Sequence, residues 1–538
     1  MTLSAALTEW RSLLGAQRVL SAEGLSAKYH ADTSAHRIRP DAVLLPSEAT
    51  QIPDILRVAS RHCIPLHPIS TGHNWGYGSG LPVTSGSCIL DLSSLDQIID
   101  FDEELGIVTL EPGVTQGMLE AFLSERNLPF MTPVTGAGPS CSVLANALER
   151  GYGITPVTDH FLAVTDMEVV LADGSIYRSA LSDLGCSRIA RLHKWGLGPY
   201  FQGIFTQSGL GVIKSMSIAL AKRPDCIRAC VFGVKDHDEF SKLIPLFRQV
   251  IRTLGAGLGG LNLMNSHRVL SMLSKNPNEL DFDCAPLTPA QVIGLEKENL
   301  VLPWTGFGSL YGSKRLVNAA QKELRSIIGK RVSRLAFVDQ SRTNALGKLA
   351  RVLPGRLGAA ADRSAKKLSS ALDLLSGRPN QTTLPLAYWL DSSKLPIGNR
   401  SLNPAADGAG LIWYAPLVPM TSRDVDSTIN MVITTCQKYR VEPLITLTSL
   451  NDRLFDCTVP ILFRKDQLGR ADAAQACYLD MVEAGKRFGV YPYRLGAGTM
   501  HLVGGQTVWA DTLHSKLRSA LDPKNILAPG RYTSDKPQ

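Results

Sequence analysis

The fold is decided by a glycine-rich stretch, Pro68-Ile69-Ser70-Thr71-Gly72-His73-Asn74-Trp75-Gly76-Tyr77-Gly78-Ser79-Gly80, which follows the strand-like run Pro65–Ser70. Four of the nine residues from Gly72 to Gly80 are glycine, and glycine lets a ligand approach the backbone closely. Successive backbone N–H groups that curl inward in this way bind phosphate oxygens without a lysine. No Gly-Lys-Ser/Thr follows and the spacing is not GxGxxG, so neither a Walker loop nor a Rossmann fingerprint is present.

The whole chain has the size and composition of a globular protein with more than one domain. Its 538 residues are too many for one ordinary core, and 44% of them are hydrophobic while 19% are charged. The net charge of +8 is mild. It suits an anionic cofactor or substrate, but it is not a nucleic-acid signature, and no nucleic-acid partner is expected.

Targeting and metal signals are weak. The first residues lack a basic region, and Glu9, Trp10 and Arg11 interrupt any apolar run, so no signal peptide is predicted. No apolar stretch approaches the length of a spanning helix. Of the ten cysteines only Cys226 and Cys230 are close in sequence, which predicts no zinc site and a reduced, cytoplasmic setting.

Strands and helices alternate over residues 40–220, which predicts a mixed α/β region. Ser47 is the expected N-cap of the second helix, and Asp173-Gly174 predicts a hairpin turn. The expected helices are Ala6–Leu20, Thr50–His62 and Gln116–Arg126, and the expected strands are Arg39–Pro46, Pro65–Ser70, Ser87–Leu92, Ile107–Glu111, Met167–Leu171 and Ser175–Arg178.

The pattern changes after Arg223-Pro224. The middle of the chain predicts a separate α+β domain, and the tail ends in a further helix. The expected strands there are Cys230–Val234 and Leu411–Leu417, and the expected helices are Ser241–Thr253, Ser427–Lys438, Ala471–Phe488 and Asp511–Leu521.

Residues 341–378 form a strongly basic insert with only two acidic residues, Asp362 and Asp373. One interpretation is a basic amphipathic helix that touches a membrane surface or a partner. The other is a solvated helical insert or a flexible loop. Its eight basic residues are Arg342, Lys348, Arg351, Arg356, Arg363, Lys366, Lys367 and Arg378.

Further motifs follow the glycine stretch in a specific order. They are Glu111-Pro112-Gly113-Val114-Thr115, Ser142–Gly153, Thr155–His160, Met167–Gly174, Phe205–Ile213 and Leu527-Ala528-Pro529-Gly530-Arg531. Together they resemble the vanillyl-alcohol oxidase / p-cresol methylhydroxylase (4-cresol dehydrogenase) family of FAD-linked flavoproteins, from about residue 40 to 535.

This resemblance implies an α+β fold with two domains. A PCMH-type FAD-binding domain, built from two α/β subdomains, takes residues 1–222 and 490–538. An α+β cap domain with an antiparallel sheet takes residues 223–489 and carries the basic insert 341–378.

The resemblance also implies the residues that hold FAD. Arg531 matches an arginine near the pyrimidine carbonyls of the flavin, where it stabilises negative charge on the reduced ring. The expected FAD-binding residues are Ser70, Thr71, Gly72, His73, Asn74, Trp75, Gly76, Tyr77, Ser142, Asn146, Arg150, Gly151, Gly153, Thr155, Gly211, Val212, Ile213 and Arg531.

By the same resemblance the enzyme oxidises a small para-substituted phenol. Tyr77, Tyr493 and Arg494 match the residues that bind the phenol oxygen as phenolate, which needs help near neutral pH because a phenol has a pKa of about 10. Hydride then leaves the benzylic carbon for flavin N5 and a quinone methide results. Asp159 matches an acidic residue near N5 that influences this step.

The covalent attachment of FAD departs from the family pattern. The stretch Leu454–Val459 lacks the cap histidine of one class, and Ala387 takes the place of the tyrosine of the other, with Tyr388 one residue on. More distant relatives attach FAD through a histidine of the glycine loop, so His73 is the expected attachment site. The alternatives are a non-covalent contact of His73 with FAD, or a bond through Tyr388 or Cys457. Thr383 takes the place of an acidic cap residue of the p-cresol class.

Two other functions stay open. The enzyme could oxidise a non-phenolic alcohol or hydroxy acid, since Arg494 also suits a carboxylate. It could instead be the flavoprotein subunit of a cytochrome-coupled dehydrogenase, with the basic insert as the docking segment. The electron acceptor is accordingly O2 or a cytochrome, and a homodimer is expected from family habit.

Overall fold

The computed structural model describes residues 2–281, 285–345, 365–366, 368–398, 400–503 and 513–533 and arranges them in four β-sheets with helices packed on their faces. The strands are β1 (Val19–Ser21), β2 (Ala42–Leu44), β3 (Leu66–Ile69), β4 (Cys88–Asp91), β5 (Ile98–Asp102), β6 (Ile107–Leu110), β7 (Phe130–Met131), β8 (Val164–Val170), β9 (Ile176–Tyr177), β10 (Val212–Ala219), β11 (Ala221–Lys222), β12 (Cys226–Val234), β13 (Asn262–Asn265), β14 (Trp304–Gly312), β15 (Arg334–Val338), β16 (Gly410–Tyr414), β17 (Pro416–Pro419), β18 (Thr446–Ser449), β19 (Leu454–Phe463) and β20 (Tyr491–Pro492).

The helices are α1 (Leu3–Leu14), α2 (Ile52–His62), α3 (Gln116–Glu125), α4 (Val143–Leu148), α5 (Ala180–Asp183), α6 (Ser187–Ala190), α7 (His237–Leu254), α8 (Ser266–Leu273), α9 (Pro289–Asn299), α10 (Lys314–Ile328), α11 (Ser422–Tyr439), α12 (Arg470–Arg487) and α13 (Ser515–Leu521). Within the described ranges, no helix has both the length and the hydropathy needed to cross a bilayer.

The first sheet has the order β1-β2-β4-β3, and its strands β2, β4 and β3 are parallel. Its core contains Trp10 of α1 and Ile55 of α2, together with Ile526 and Leu527 from the far end of the chain. The glycine-rich stretch begins at the carboxyl end of β3, which is the edge of a parallel sheet where ligands bind.

The second sheet has the order β5-β6-β10-β8-β9 and is antiparallel throughout. Helices α3 and α4 share a hydrophobic core with it. Each of these helices begins with a side-chain cap: the Thr115 hydroxyl accepts from Met118 N at 3.2 Å, and the Ser142 hydroxyl accepts from Ala145 N at 3.1 Å. These caps satisfy backbone donors that the first helical turn leaves unpaired.

The large antiparallel sheet occupies the predicted cap domain, except for β20, which lies just beyond the predicted boundary at residue 490. Its order is β15-β12-β14-β13-β18-β19-β17-β20, and β16 also pairs with β19. Helices α7, α10, α11 and α12 share its core, which includes Phe232, Phe240, Phe247, Phe455 and Tyr478. The predicted fold class, an α+β protein with an antiparallel cap sheet, is confirmed.

Element boundaries differ from the expectations where a local interaction decides them. Helix α1 ends at Leu14, short of the expected Leu20, because Gly15 takes φ 89° and β1 follows. Glu48, not Ser47, caps the turn before α2, in a capping box with Gln51. The expected hairpin at Asp173-Gly174 is confirmed.

The expected strand Leu411–Leu417 is two strands, β16 and β17, which both pair with β19. The tail helix begins at Ser515, and the expected start at Asp511 lies outside the described residues.

The domain boundaries at residues 222 and 490 stay predictions. Near them, Ala221–Lys222 pairs with Phe130–Met131, and Tyr491–Pro492 pairs with β17 of the large sheet.

The described end of the basic insert packs against the protein. Residues 368–375 are helical, and Leu372 and Leu375 are buried beside Ala229 of β12. The Tyr311 hydroxyl donates to the Leu375 carbonyl at 2.9 Å. Residues 346–364 and 367 lie outside the described residues, so the membrane and docking interpretations of the insert stay predictions. The basic residues in these undescribed ranges are Lys348, Arg351, Arg356, Arg363 and Lys367.

The glycine-rich stretch is pressed against the large sheet at Gly76. This residue has φ 79°, and a Cβ there would lie 2.2 Å from Trp413 Cδ1. Its N–H donates to the Thr33 hydroxyl at 2.7 Å, and its carbonyl accepts from Trp413 N at 3.2 Å. Gly76 therefore joins the first sheet to the cap, and both of its backbone polar groups are used by the protein.

Gly76→Ala should lower the free energy of unfolding by about 2–4 kcal/mol, because the change adds left-handed strain to a clash with Trp413. Gly86→Ala is the matched control. Gly86 has φ 73° and open space around its Cβ position. Gly86→Ala should therefore lower the free energy of unfolding by about 1 kcal/mol, from the left-handed backbone strain alone. Urea unfolding of both variants measures the difference, and equal losses would contradict a tight contact at Trp413.

Candidate functional site

A cavity of about 440 Å³ lies where the glycine-rich stretch, the second sheet, the large sheet and the chain's tail meet. Most of the predicted site residues line it. They are Ser70, Thr71, Gly72, His73, Asn74, Trp75, Tyr77, Ser142, Asn146, Gly151, Gly211, Val212, Ile213, Tyr493, Arg494 and Arg531.

Five predicted site residues do not line the cavity: Gly76, Arg150, Gly153, Thr155 and Asp159. The Arg150 guanidinium donates to the Thr206 hydroxyl from Nε and Nη2, at 3.1 and 2.8 Å. A Cβ at Gly153 would lie 2.3 Å from His160 Nε2. Arg150, Gly76 and Gly153 therefore make protein contacts close to the cavity.

The start of the glycine-rich stretch forms an anion nest. Among the described residues, the backbone N–H groups of Thr71, Gly72, His73 and Asn74 have no acceptor. Gly72 takes φ 74° in the middle of this run, which turns successive N–H groups toward one side. Four unpaired donors at the cavity fit the diphosphate of the expected FAD.

Arg494 and two tyrosines form a second donor group in the cavity. The Arg494 guanidinium stacks over the Tyr77 ring, 4.4 Å from its centroid, and donates to Asn74 Oδ1. Tyr493 packs beside Tyr152 with their ring centroids 5.1 Å apart. In the described part of the chain, the hydroxyls of Tyr77 and Tyr493 have no hydrogen-bond partner. They are free to donate to a ligand.

Burial keeps these tyrosines protonated. It raises the pKa of Tyr77 and of Tyr493 well above the ordinary value, although Arg494 opposes the shift. Both hydroxyls therefore remain donors at neutral pH, and the negative charge that the site accommodates has to come from the ligand.

Glu149 binds the two arginines of the site. It directly follows α4, and its carboxylate pairs with Arg494 Nε at 3.2 Å and with Arg531 Nη2. Burial alone would raise the pKa of Glu149, but Arg531 and Arg494 outweigh it and hold the pKa below its ordinary value. Two guanidinium groups and one carboxylate leave one net positive charge, which favours an anionic ligand.

Two aspartates approach the tyrosines from outside the cavity lining. Asp159 pairs with Tyr152 in a bridge and accepts from Leu162 N at 3.1 Å, so its carboxylate caps a turn. Asp456 lies on β19, two residues before Thr458, which lines the cavity from the same face. Its side chain is 5% exposed, and burial raises the pKa of Asp456 to about 7.

His73 lines the cavity, with one ring nitrogen beside a backbone carbonyl. Its Nδ1 lies 3.2 Å from the Ser140 carbonyl, and its ring stacks on Trp75 with centroids 4.8 Å apart. A carbonyl only accepts, so we assign the ring hydrogen to Nδ1 and the free lone pair to Nε2. Burial lowers the pKa of His73, which favours this neutral form.

The other two candidates for a flavin bond are placed differently. The Tyr388 hydroxyl donates to Asp407 Oδ2 at 2.6 Å, and neither Tyr388 nor Cys457 lines the cavity. Cys457 is fully buried in the core of the large sheet.

Sequence reasoning assigned no role to four residues that belong to this region: Glu149, Tyr152, Arg268 and Asp456. Glu149 and Tyr152 lie in the motif Ser142–Gly153, where the charge of Glu149 and the aromatic ring of Tyr152 could have indicated a role. Asp456 stands in the stretch where a histidine was sought. Arg268 carries no motif, so the sequence offers no signal for it.

Comparisons with known proteins show what the chain is similar to. A family model described as an FAD binding domain matches residues 40–180. The 1'-carboxy-chondrochloren decarboxylase of Chondromyces crocatus is 30% identical over 531 residues, 98% of this chain and 97% of that protein. The 4-cresol dehydrogenase (hydroxylating) flavoprotein subunit of Pseudomonas putida is 26% identical over 98% of this chain and 95% of that protein.

A solved structure shows the same fold. A crystal structure of p-cresol methylhydroxylase with substrate bound matches with a TM-score of 0.86 at 24% identity, over 99% of this chain and 97% of that chain.

Asp456→Asn should flatten the dependence of stability on pH. The folded-state pKa of Asp456 lies near 7, above the ordinary value, so the folded protein holds a proton that the unfolded chain releases. As the pH rises from about 5 to about 7, the free energy of unfolding of the wild type should fall by about 1.4 kcal/mol per pH unit more than that of the variant. Urea unfolding across this range measures the difference.

Asp96→Asn is the control for this measurement, because Asp96 is exposed. The free energy of unfolding of this variant should change with pH as that of the wild type does. If Asp456→Asn also followed the wild type, the buried carboxyl would not titrate in this range.

Proposed function

Because the chain belongs to the vanillyl-alcohol oxidase / p-cresol methylhydroxylase flavoprotein family and is an FAD-dependent oxidoreductase, we propose that it oxidises a small para-substituted phenol. The substrate is a 4-alkylphenol or a 4-hydroxybenzyl alcohol, and the electrons pass on to O2 or to a cytochrome.

One observation carries this proposal. Tyr77 and Tyr493, whose hydroxyls have no partner among the described residues, line one cavity together with Arg494. Two hydroxyl donors and a guanidinium in one cavity suit a ligand oxygen that carries negative charge. A phenolate oxygen has this character, whereas the hydroxyl of a simple alcohol stays neutral.

The donor group has to make the phenol acidic. An ordinary phenol has a pKa of about 10, and a permanent cation beside its oxygen favours the ionised form. Arg494 supplies this charge, and Glu149 and Asn74 hold the guanidinium in place. Ionisation of the phenol then raises the electron density at the benzylic carbon in the para position.

The FAD site is formed by both ends of the chain. We propose that the unpaired N–H groups of residues 71–74 hold the diphosphate and that Arg531 faces the pyrimidine ring. FAD, when bound, supplies the acceptor for the benzylic hydride, whose removal leaves the substrate as a quinone methide. Arg531 is fixed for its role by Glu149 and by the Ser208 carbonyl at 3.1 Å.

The acid–base group of the reaction is proposed among the aspartates. Asp159 stays the prediction of the family resemblance, and its charge reaches Tyr152. The charge of Asp456 reaches Tyr77, Tyr152 and Tyr493. Asp456 is the second candidate, because it lies on the same face of β19 as the cavity-lining Thr458 and burial raises its pKa to about 7.

We also propose that His73 bonds covalently to FAD. His73 lines the cavity and its Nε2 has no partner among the described residues, whereas the Tyr388 hydroxyl is engaged by Asp407 and Cys457 is enclosed in the core.

Arg494→Met should lower kcat/KM for 4-propylphenol by about 10²–10³-fold, because the variant loses the charge that stabilises the phenolate. Steady-state kinetics with a dye acceptor measures this. Arg494→Lys is the matched variant, since it keeps the charge and loses the planar fork. Its kcat/KM should lie between those of the wild type and Arg494→Met.

The O-methyl ether of 4-propylphenol tests the phenolate itself. It has the same size and cannot ionise, so the wild type should leave it unchanged. Oxidation of the ether at a rate similar to that of the phenol would overturn the proposal. Turnover of simple alcohols or 2-hydroxy acids in place of phenols would assign the enzyme to the alternative substrate class.

His73→Ala should release the flavin. Wild-type protein precipitated in acid should stay yellow, while the flavin of the variant should remain in the supernatant, as absorbance near 450 nm would report. Tyr388→Phe is the control and should keep the colour in the pellet. Flavin that stays in the pellet of His73→Ala would place the bond elsewhere.

A further inference from the structure

Arg268 differs from the other charged residues of the cavity because its side chain has no partner among the described residues. It lies on α8, in the predicted cap domain, and lines the same cavity as Tyr77 and Arg494. Its Nε and Nη1 atoms are buried without a hydrogen-bond partner. Within the described ranges, no carboxylate forms an ion pair with Arg268.

A buried guanidinium without a counterion is costly, and proteins keep one where a ligand supplies the missing charge. Burial lowers the pKa of Arg268 to about 10, and no acidic group opposes this shift. At this pKa the side chain is still charged at neutral pH. Arg494 and Arg531 differ in this respect, because Glu149 already neutralises one of their two charges.

The surroundings of Arg268 define the ligand further. The cap-domain residues that share the cavity wall with it are mostly apolar, and they include Leu386, Leu411 and Trp413. Among the described cap residues of this wall, Arg268 is the one that carries a charge. A single guanidinium in an apolar wall suits one monoanion, and a carboxylate matches its planar fork.

The diphosphate of FAD is a poorer partner for Arg268. The unpaired N–H groups of residues 71–74 form a nest in the first sheet's loop, on the FAD-binding side of the cavity. Arg268 belongs to α8, whose neighbours are strand β13 and the turn Leu384–Tyr388 of the cap. Arg494 with the two tyrosines, and Arg268 on α8, are therefore two cationic groups that different elements bring to one cavity.

We propose that the substrate is a phenol whose para side chain ends in a carboxylate, and that Arg268 binds this carboxylate. The inference rests on the proposed phenol oxidation and names the class of phenol. Tyr77, Tyr493 and Arg494 bind one end of the substrate, and Arg268 binds the other. Arg268 thereby selects acids over neutral alkylphenols.

The test compares matched acids and amides on the FAD-loaded enzyme. The acids are 4-hydroxyphenylacetate, 3-(4-hydroxyphenyl)propanoate and 4-(4-hydroxyphenyl)butanoate, each paired with its neutral amide. For the acid that fits best, the wild type should show a kcat/KM at least about 10-fold above that of its amide. Arg268→Met should lower kcat/KM for this acid by about 100-fold and change the amide by less than about 3-fold.

Two further measurements keep the result interpretable. Arg268→Lys should restore part of the preference for the acid, because the charge returns without the fork. The melting temperature of Arg268→Met without substrate should equal or exceed that of the wild type, because an unpaired buried charge is gone. The flavin content of all variants should be equal, and loss of FAD from Arg268→Met would instead assign the guanidinium to the cofactor and overturn the inference.

The outcomes separate this inference from the proposed function. If the wild type oxidises 4-propylphenol and Arg268→Met leaves every acid-to-amide ratio unchanged, the inference fails and phenol oxidation stands. If no phenol is oxidised, the proposed function fails, and binding of 3-phenylpropanoate then decides the role of Arg268. Its Kd, followed by the flavin spectrum, should rise about 100-fold in Arg268→Met, and an unchanged Kd would overturn the inference.

Discussion

The site depends on one buried carboxylate, that of Glu149, held between Arg494 and Arg531. The three residues come from three distant parts of the chain: the end of α4, the segment after the large sheet, and the tail. Without this carboxylate, two guanidinium groups would face each other in a buried space, and each would lose its main counterion. The position of both arginines in the cavity therefore follows from Glu149.

The same triad sets the electrostatics of the cavity. It leaves one net positive charge, while burial keeps Tyr77 and Tyr493 neutral. Arg268 adds a second positive charge that the triad does not balance. A cavity with this pattern accommodates a dianionic ligand, with one charge at each cationic position, more readily than a neutral one.

Short motifs made the core of the site predictable. The glycine-rich stretch requires its residues to lie together, and the family resemblance carried by the motifs predicted His73, Asn74 and Tyr77 as site residues; all three line the cavity. Asp159 was named from a motif as well, but its carboxylate caps a turn instead of lining the cavity. Motifs specify backbone shape well, and they do not specify where a short side chain points.

The residues that sequence reasoning missed owe their properties to tertiary contacts. Burial raises the pKa of Asp456 on β19 to about 7, and Arg268 on α8 is buried without a counterion among the described residues. The same limit applies to elements. Leu411–Leu417 has the composition of one strand, and its division into β16 and β17 follows from how both pair with β19.

The pairing between Leu66 and Leu527 has a consequence for biosynthesis. Leu66 N donates to the Ile526 carbonyl and Ala528 N donates to the Leu66 carbonyl, so the tail extends the first sheet beside the glycine-rich stretch. A ribosome makes the two partners more than four hundred residues apart. The first sheet lacks this pairing until residues 526–528 are translated, and contacts so distant in sequence form slowly. The cavity likewise lacks Ala528 and Arg531 until then, so the nascent chain carries an unfinished cavity.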